Sequence, residues 1–142
     1  MEEFSIIKKQ QDKITILYLN GFLDAHTSVE LETCFEEILS ENKFKIIVNF
    51  EKLSYISSAG LGVFMAFIET ARNYSGDIKL CGMSDKIYNI FDMLGFPILF
   101  EIYKEEKSAI ENFSYLWLLW AAPLKYYSPV PQRIWHYWET SL

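Results

Sequence analysis

Cysteine and histidine are scarce, with two of each in 142 residues. Cys34 and Cys81 stand far apart, each inside an apolar pattern, with no C-x-x-C pair and too few histidines to complete a zinc set. Buried reduced thiols and no metal site are therefore expected. Glycine-rich phosphate loops are missing too. Gly60 and Gly62 fit neither G-x-G-x-x-G nor G-x-x-x-x-G-K-[ST], which leaves close packing as their ordinary reading and gives no reason to expect a cofactor. Basic residues number 13 against 19 acidic ones, and the resulting net charge of −6 opposes non-specific nucleic-acid binding, where Lys and Arg must neutralise phosphates. Met1-Glu2-Glu3-Phe4 has neither the basic nor the apolar region of a signal peptide, so a cytoplasmic location is expected. Long apolar runs are lacking as well: residues 115–124 fall short of the about 20 residues that a membrane-spanning helix needs.

What is present is a globular composition, 51% hydrophobic, with both charge signs spread along most of the chain and a length suited to one compact domain. Residues 4–8 and 14–19 are β-rich and flank the polar Gln10-Gln11-Asp12-Lys13, which predicts an antiparallel hairpin closed by Gly21. Over residues 28–40, Leu31, Cys34, Phe35, Ile38 and Leu39 recur at helical spacing, and Thr27 with Glu30 matches a capping box. Ile46, Ile47 and Val48 run without polar interruption in a strand over 45–50, the pattern of a central strand covered on both faces. A strongly apolar helix follows and ends within residues 72–76. Next come a strand over 78–83, a helix capped by Ser84 and ended by Gly95, and an extended exit at Pro97. A strand over 98–103 and a short charged helix over 104–112 complete the pattern. Strands alternating with helices predict an α/β fold: a mixed sheet with an N-terminal antiparallel hairpin, a parallel portion and packed helices.

Composition shifts after Asn112, dividing the chain into a domain over 1–112 and an aromatic-rich tail over 113–142. The tail carries all four tryptophans and three of the four prolines. Three readings of it stay open. It folds against the domain; it docks on a membrane interface or a partner, since Trp and Tyr suit boundaries between dry and wet surroundings; or it is foreign to the domain.

The junction Tyr55-Ile-Ser-Ser-Ala-Gly-Leu-Gly62 joins the central strand to the apolar helix. A hydroxyl just before a helix start is an N-cap candidate, and Ser57 or Ser58 fills that place. A nucleophilic serine needs a base within hydrogen-bond reach, and the chain offers only His26 and His136. No G-x-S-x-G elbow surrounds either serine, so a serine hydrolase is an outlying reading and no catalytic residue is assigned.

The segment Leu53-Ser-Tyr-Ile-Ser-Ser-Ala-Gly-Leu-Gly62, preceded by the strand over 46–50, resembles the phosphorylation-site region of STAS domains of the anti-sigma-factor antagonist type. Gly21-Phe-Leu-Asp24 followed by Thr27 resembles their second characteristic segment, and the order of elements agrees through about Asn112. The resemblance implies a cytoplasmic, non-enzymatic regulator that binds an anti-sigma factor that is also a serine kinase. Phosphorylation at Ser58, or alternatively Ser57, would release it, and a serine phosphatase would restore it. Asp24, His26, Thr27, Ser57, Ala59, Gly60 and Leu61 are the implied partner-binding positions. Ser57 stands where many members carry Asp before the phosphoacceptor, and Asn49 where many carry Asp late in the preceding strand. The family's other implication is a STAS subunit of a membrane-associated ATPase or lipid-transport complex, which uses no phosphate and suits an aromatic tail. A helix N-terminus favours the roughly −1.5 to −2 charge of a phosphate, so the expected switch acts through affinity without refolding.

Overall fold

Alternation along the central strand decides the architecture. Ile46, Val48 and Phe50 point to one side of the sheet and Ile47 to the other, all fully buried, so both faces need cover. A computed structural model of the chain describes residues 3–114, so the tail from residue 115 and the readings placed on it lie outside the described residues. Strands β1 (Ser5–Gln11) and β2 (Ile14–Leu23) pair antiparallel about the turn Asp12-Lys13, with Asp12 at a left-handed φ of 54° that its short polar side chain tolerates. Helix α1 (Ser28–Ser40), strand β3 (Lys45–Ile56), helix α2 (Ser58–Asn73) and strand β4 (Asp77–Cys81) follow. Helices α3 (Asp85–Met93) and α4 (Phe96–Leu99), strand β5 (Ile102–Tyr103) and helix α5 (Glu106–Ser114) complete the described chain. The sheet runs β1-β2-β3-β4-β5, parallel throughout except for the first pair, which is the expected mixed sheet with β3 at its centre.

The larger core lies between one sheet face and α1 to α4. Phe64 of α2 is its hub, fully buried with ring centroids 5.9 Å from Phe35, 5.5 Å from Phe50, 6.2 Å from Phe91 and 6.5 Å from Phe100. The other face gathers Ile14, Ile16, Ile47, Cys81 and Tyr103 against Ala109, Ile110 and Phe113 of α5. The Glu106 carboxylate helps fasten α5, accepting hydrogen bonds from Tyr18 Oη and Asn49 Nδ2, both at 3.0 Å. Burial, and then the Glu106 carboxylate, push the Tyr18 phenol up to about 12. Asn49 is suited to its place because an amide can donate to Glu106 where an aspartate would repel it. Lys79, only 2% exposed, bonds Glu101 Oε2 at 3.0 Å and Asp77 Oδ2 at 3.3 Å beneath the Phe113 ring, so this buried cation is paired on two sides.

Several local expectations are corrected. Gly21 does not close the hairpin; β2 continues to Leu23, with Gly21 at a φ of 82° where the pairing with β3 slips register. The central strand runs beyond Phe50 to Ile56, because β2 continues alongside it. Thr27 makes no side-chain cap bond, since its hydroxyl serves the preceding loop, and the capping box is not formed. Pro97 lies in the first turn of α4, where its missing N–H costs nothing, and the last strand shrinks to Ile102–Tyr103. Cys81 is buried but Cys34 only partly so, and burial raises both thiol pKa values.

Phe64→Ala should lower unfolding free energy by about 3–5 kcal/mol, the cost of a large aromatic cavity. Met65→Ala, one residue along and 44% exposed, should cost far less. Urea unfolding of the two variants checks the contrast.

Candidate functional site

Two loops meet at the carboxyl ends of β2 and β3. The Ser57 N–H donates to the Leu23 carbonyl at 2.9 Å, which carries strand pairing one residue past β3 and sets the start of α2 beside the β2–α1 loop. Ser57 is the N-cap of α2: its backbone is extended at φ −97° and ψ 170°, and its hydroxyl oxygen accepts from Gly60 N at 3.3 Å. Ser58 is the first helical residue and is exposed, as is Ala59. Gly60 is buried, and a Cβ built on it would stand 2.8 Å from Leu23 Cγ, so α2 approaches β2 at a distance that only glycine allows. Leu61 is 6% exposed and belongs to the core.

Asp24 organises the facing loop. Its Oδ1 accepts from the backbone N–H groups of His26 and Thr27, both at 2.9 Å, and lies 3.1 Å from Thr27 Oγ1. Thr27 Oγ1 in turn accepts from Asp24 N at 2.9 Å and reaches the Phe22 carbonyl at 2.8 Å. The Thr27 N–H, and then the Thr27 hydroxyl, the His26 N–H and the His26 charge, hold the Asp24 carboxyl below its ordinary pKa. His26 is exposed on the rim.

Of the seven positions proposed for partner contact, Ser57, Ala59, Asp24, His26 and Thr27 thus line an exposed or half-exposed rim. Gly60 and Leu61 point inward and shape the rim from beneath. Among the described residues no hydrogen bond joins His26 to either serine, and no cluster of three or more His, Cys, Asp or Glu is placed to hold a metal. His136 lies outside the described residues. Sequence reasoning missed Phe22 and Tyr55. They are register partners at the strand ends, 36% and 44% exposed, with ring centroids 5.8 Å apart. Their signal was strand alternation, since each stands beside a core residue, Leu23 or Ile56.

Comparison with known proteins shows the family and the fold. The STAS domain family model matches residues 5–109. An anti-sigma-B factor antagonist of Staphylococcus aureus (strain NCTC 8325 / PS 47) is 30% identical over 92 residues, covering 65% of this chain and 85% of the relative. An anti-sigma factor antagonist from Mycobacterium paratuberculosis has a crystal structure that superposes with a TM-score of 0.72 at 14% identity, over 78% of this chain and 93% of that one. The Bacillus cell fate determinant SpoIIAA in its phosphorylated form superposes with a TM-score of 0.61 at 21% identity, over 78% and 99%. At these identities the two structures speak to the fold.

Ser57→Ala should destabilise the protein by about 0.5–2 kcal/mol through loss of the cap. Ser58→Ala should stay within about 0.5 kcal/mol of the parent, and denaturant unfolding of both variants distinguishes them. Because the Asp24 carboxyl is held low, its contribution to stability is complete above the pKa of an unfolded aspartate and is lost as pH falls through the lower folded value. Carboxyl NMR titration should give Asp24 a midpoint below that of an unfolded aspartate, and Thr27→Val should move it upward.

Proposed function

The chain belongs to the STAS domain family, and from that premise we propose that it is a cytoplasmic anti-sigma factor antagonist switched by phosphorylation at Ser58. The observation that carries the choice of residue is the division of labour between the two serines. Ser57 is half-buried and its oxygen already caps Gly60 N–H, whereas Ser58 is exposed at the first helical position. Phosphoryl transfer needs an accessible oxygen in line with the donor phosphate, which Ser58 offers. The relatives named as anti-sigma factor antagonists and the phosphorylated form of a protein with this fold support the reading. No helix among the described residues is long and apolar enough to cross a membrane.

On this reading the partner is an anti-sigma factor with serine-kinase activity, seated over Ser58, Ala59 and the Asp24–Thr27 loop, and a serine phosphatase resets the switch. A phosphate on Ser58 sits at the positive end of α2, so the fold tolerates it. The partner must then accommodate a doubly charged, hydrated group in a contact shaped for a hydroxyl. The phosphate thus costs binding more than folding.

Incubation with the cognate kinase and ATP should place phosphate on Ser58, and Ser58→Asp should weaken partner binding by about tenfold or more while leaving thermal stability near the parent value. Phosphosite mapping and titration calorimetry measure both. Phosphate on neither serine, together with parent-like binding by Ser58→Asp, would sink the switch.

A further inference from the structure

Helix α5 covers only part of its sheet face. Its apolar side chains reach Ile14, Ile16, Ile47, Cys81 and Tyr103, and its first residue, Glu106, bonds Tyr18 and Asn49. Beyond that line the same face continues to the carboxyl ends of β2 and β3. Strand register sets Ile7 opposite Tyr18 and Phe22 beside Tyr55, all on the side away from the larger core, which takes Ile6, Leu23 and Ile56 instead. Ile7 is 58% exposed, and Phe22 and Tyr55 are exposed with it. Lys9, opposite Ile16, and Lys52, beside Asn20, are exposed at the border of the same strip. Helix α5 thus leaves open an apolar strip edged by cations.

The chain that follows α5 sets out from this face, since the Phe113 ring lies 4.7 Å from Lys79 Nζ. Residues 115–142 then carry all four tryptophans. Lys79 pairs with Ile47, and Tyr55 lies eight residues further along β3, a distance of about 26 Å at a strand rise of roughly 3.3 Å per residue. The 28 residues from 115 to 142 reach about 42 Å even at the 1.5 Å rise of a helix. A segment tethered within reach is present at an effective concentration of about millimolar, which favours it over a separate partner of equal affinity. Tryptophan suits the strip chemically: its ring covers apolar side chains such as Ile7 and Phe22, and its face attracts cations such as Lys9 and Lys52.

We propose that residues 115–142 fold back from α5 and dock on the strip formed by Ile7, Phe22 and Tyr55, completing the second layer of the domain. Helix α5 runs from Tyr18 toward Lys79, away from the strip, so this path needs a reversal. Pro123 lacks the N–H that would continue a helix and suits such a turn. Thr27 Oγ1 donates to the Phe22 carbonyl at 2.8 Å, so the docked tail borders the exposed rim that holds Asp24 and Thr27.

Tryptophan emission from the full chain reads the tail alone. It should be blue-shifted and protected from acrylamide, with nuclear Overhauser contacts from indole protons to Ile7, Phe22 or Tyr55. The triple variant Ile7→Lys/Phe22→Ser/Tyr55→Ser should shift the emission to the red and increase quenching, whereas Met93→Ser, at an exposed apolar position on α3, should change neither. Amide shifts in α1 and α2 that match the parent establish folding, and the contacts in the parent chain test the docking even if the triple variant does not fold. Solvent-like emission from the parent chain, contacts centred elsewhere on the domain, or parent-like emission from the folded triple variant would overturn the proposal. So would contacts found only between labelled and unlabelled chains in a mixed sample, which mark a second copy as the occupant, or a blue shift that requires phosphatidylglycerol vesicles, which marks a membrane.

Discussion

The backbone bond from the Ser57 N–H to the Leu23 carbonyl is the constraint on which the exposed rim depends. It ends the β2–β3 pairing at the point where both chains leave the sheet, so the loop carrying Asp24 and the helix carrying Ser58 start from adjacent positions. Gly60 reinforces the seam: any side chain there would strike Leu23 or Ile56 and lift α2 from the sheet. Leu61, Val63 and Phe64 then continue the contact into the core. Close packing makes the rim rigid, because a displacement of α2 would have to be repaid across the whole aromatic cluster.

Rigidity of this kind separates recognition from folding. The groups that hold the rim, Ser57 Oγ, Asp24 Oδ1 and Thr27 Oγ1, are occupied by local backbone bonds. The Ser58 hydroxyl is not the cap and stands exposed beside them. A covalent change at Ser58 therefore alters the charge that a partner meets without removing a bond that the helix needs. Phe22 and Tyr55 add an apolar margin on the side of the sheet away from Leu23 and Ile56.

Much of this was legible in the sequence. The α1 limits and the central position of β3 followed from periodicity and from the uninterrupted Ile46-Ile47-Val48 run. The serine pair was recognisable as a helix start, but which serine caps depended on a backbone torsion at Ser57 that residue types alone do not specify. The polar stretch from Glu51 to Tyr55 concealed the second half of β3, which persists because β2 pairs beside it. Tertiary pairing overrode local composition there. Thr27 was misread because Asp24, three residues earlier, competes for its hydroxyl. The Lys79–Glu101 pair and the Glu106 clamp escaped notice because their partners are distant in sequence.

That separation bears on the order of assembly. Glu106 meets Tyr18 across 88 residues and Asn49 across 57, so its two bonds can form only after β2 and β3 lie side by side. The β1–β2 hairpin, by contrast, closes across two residues, from Gln11 to Ile14. Contacts that close long loops bear a larger entropy cost before they contribute, which makes them late events in folding. Loop-closure entropy thus predicts that the second layer is a latecomer: α5 should seal a sheet already aligned by the larger core, and its departure would uncover Ile47 and Cys81 while leaving the rim at Ser58 in place.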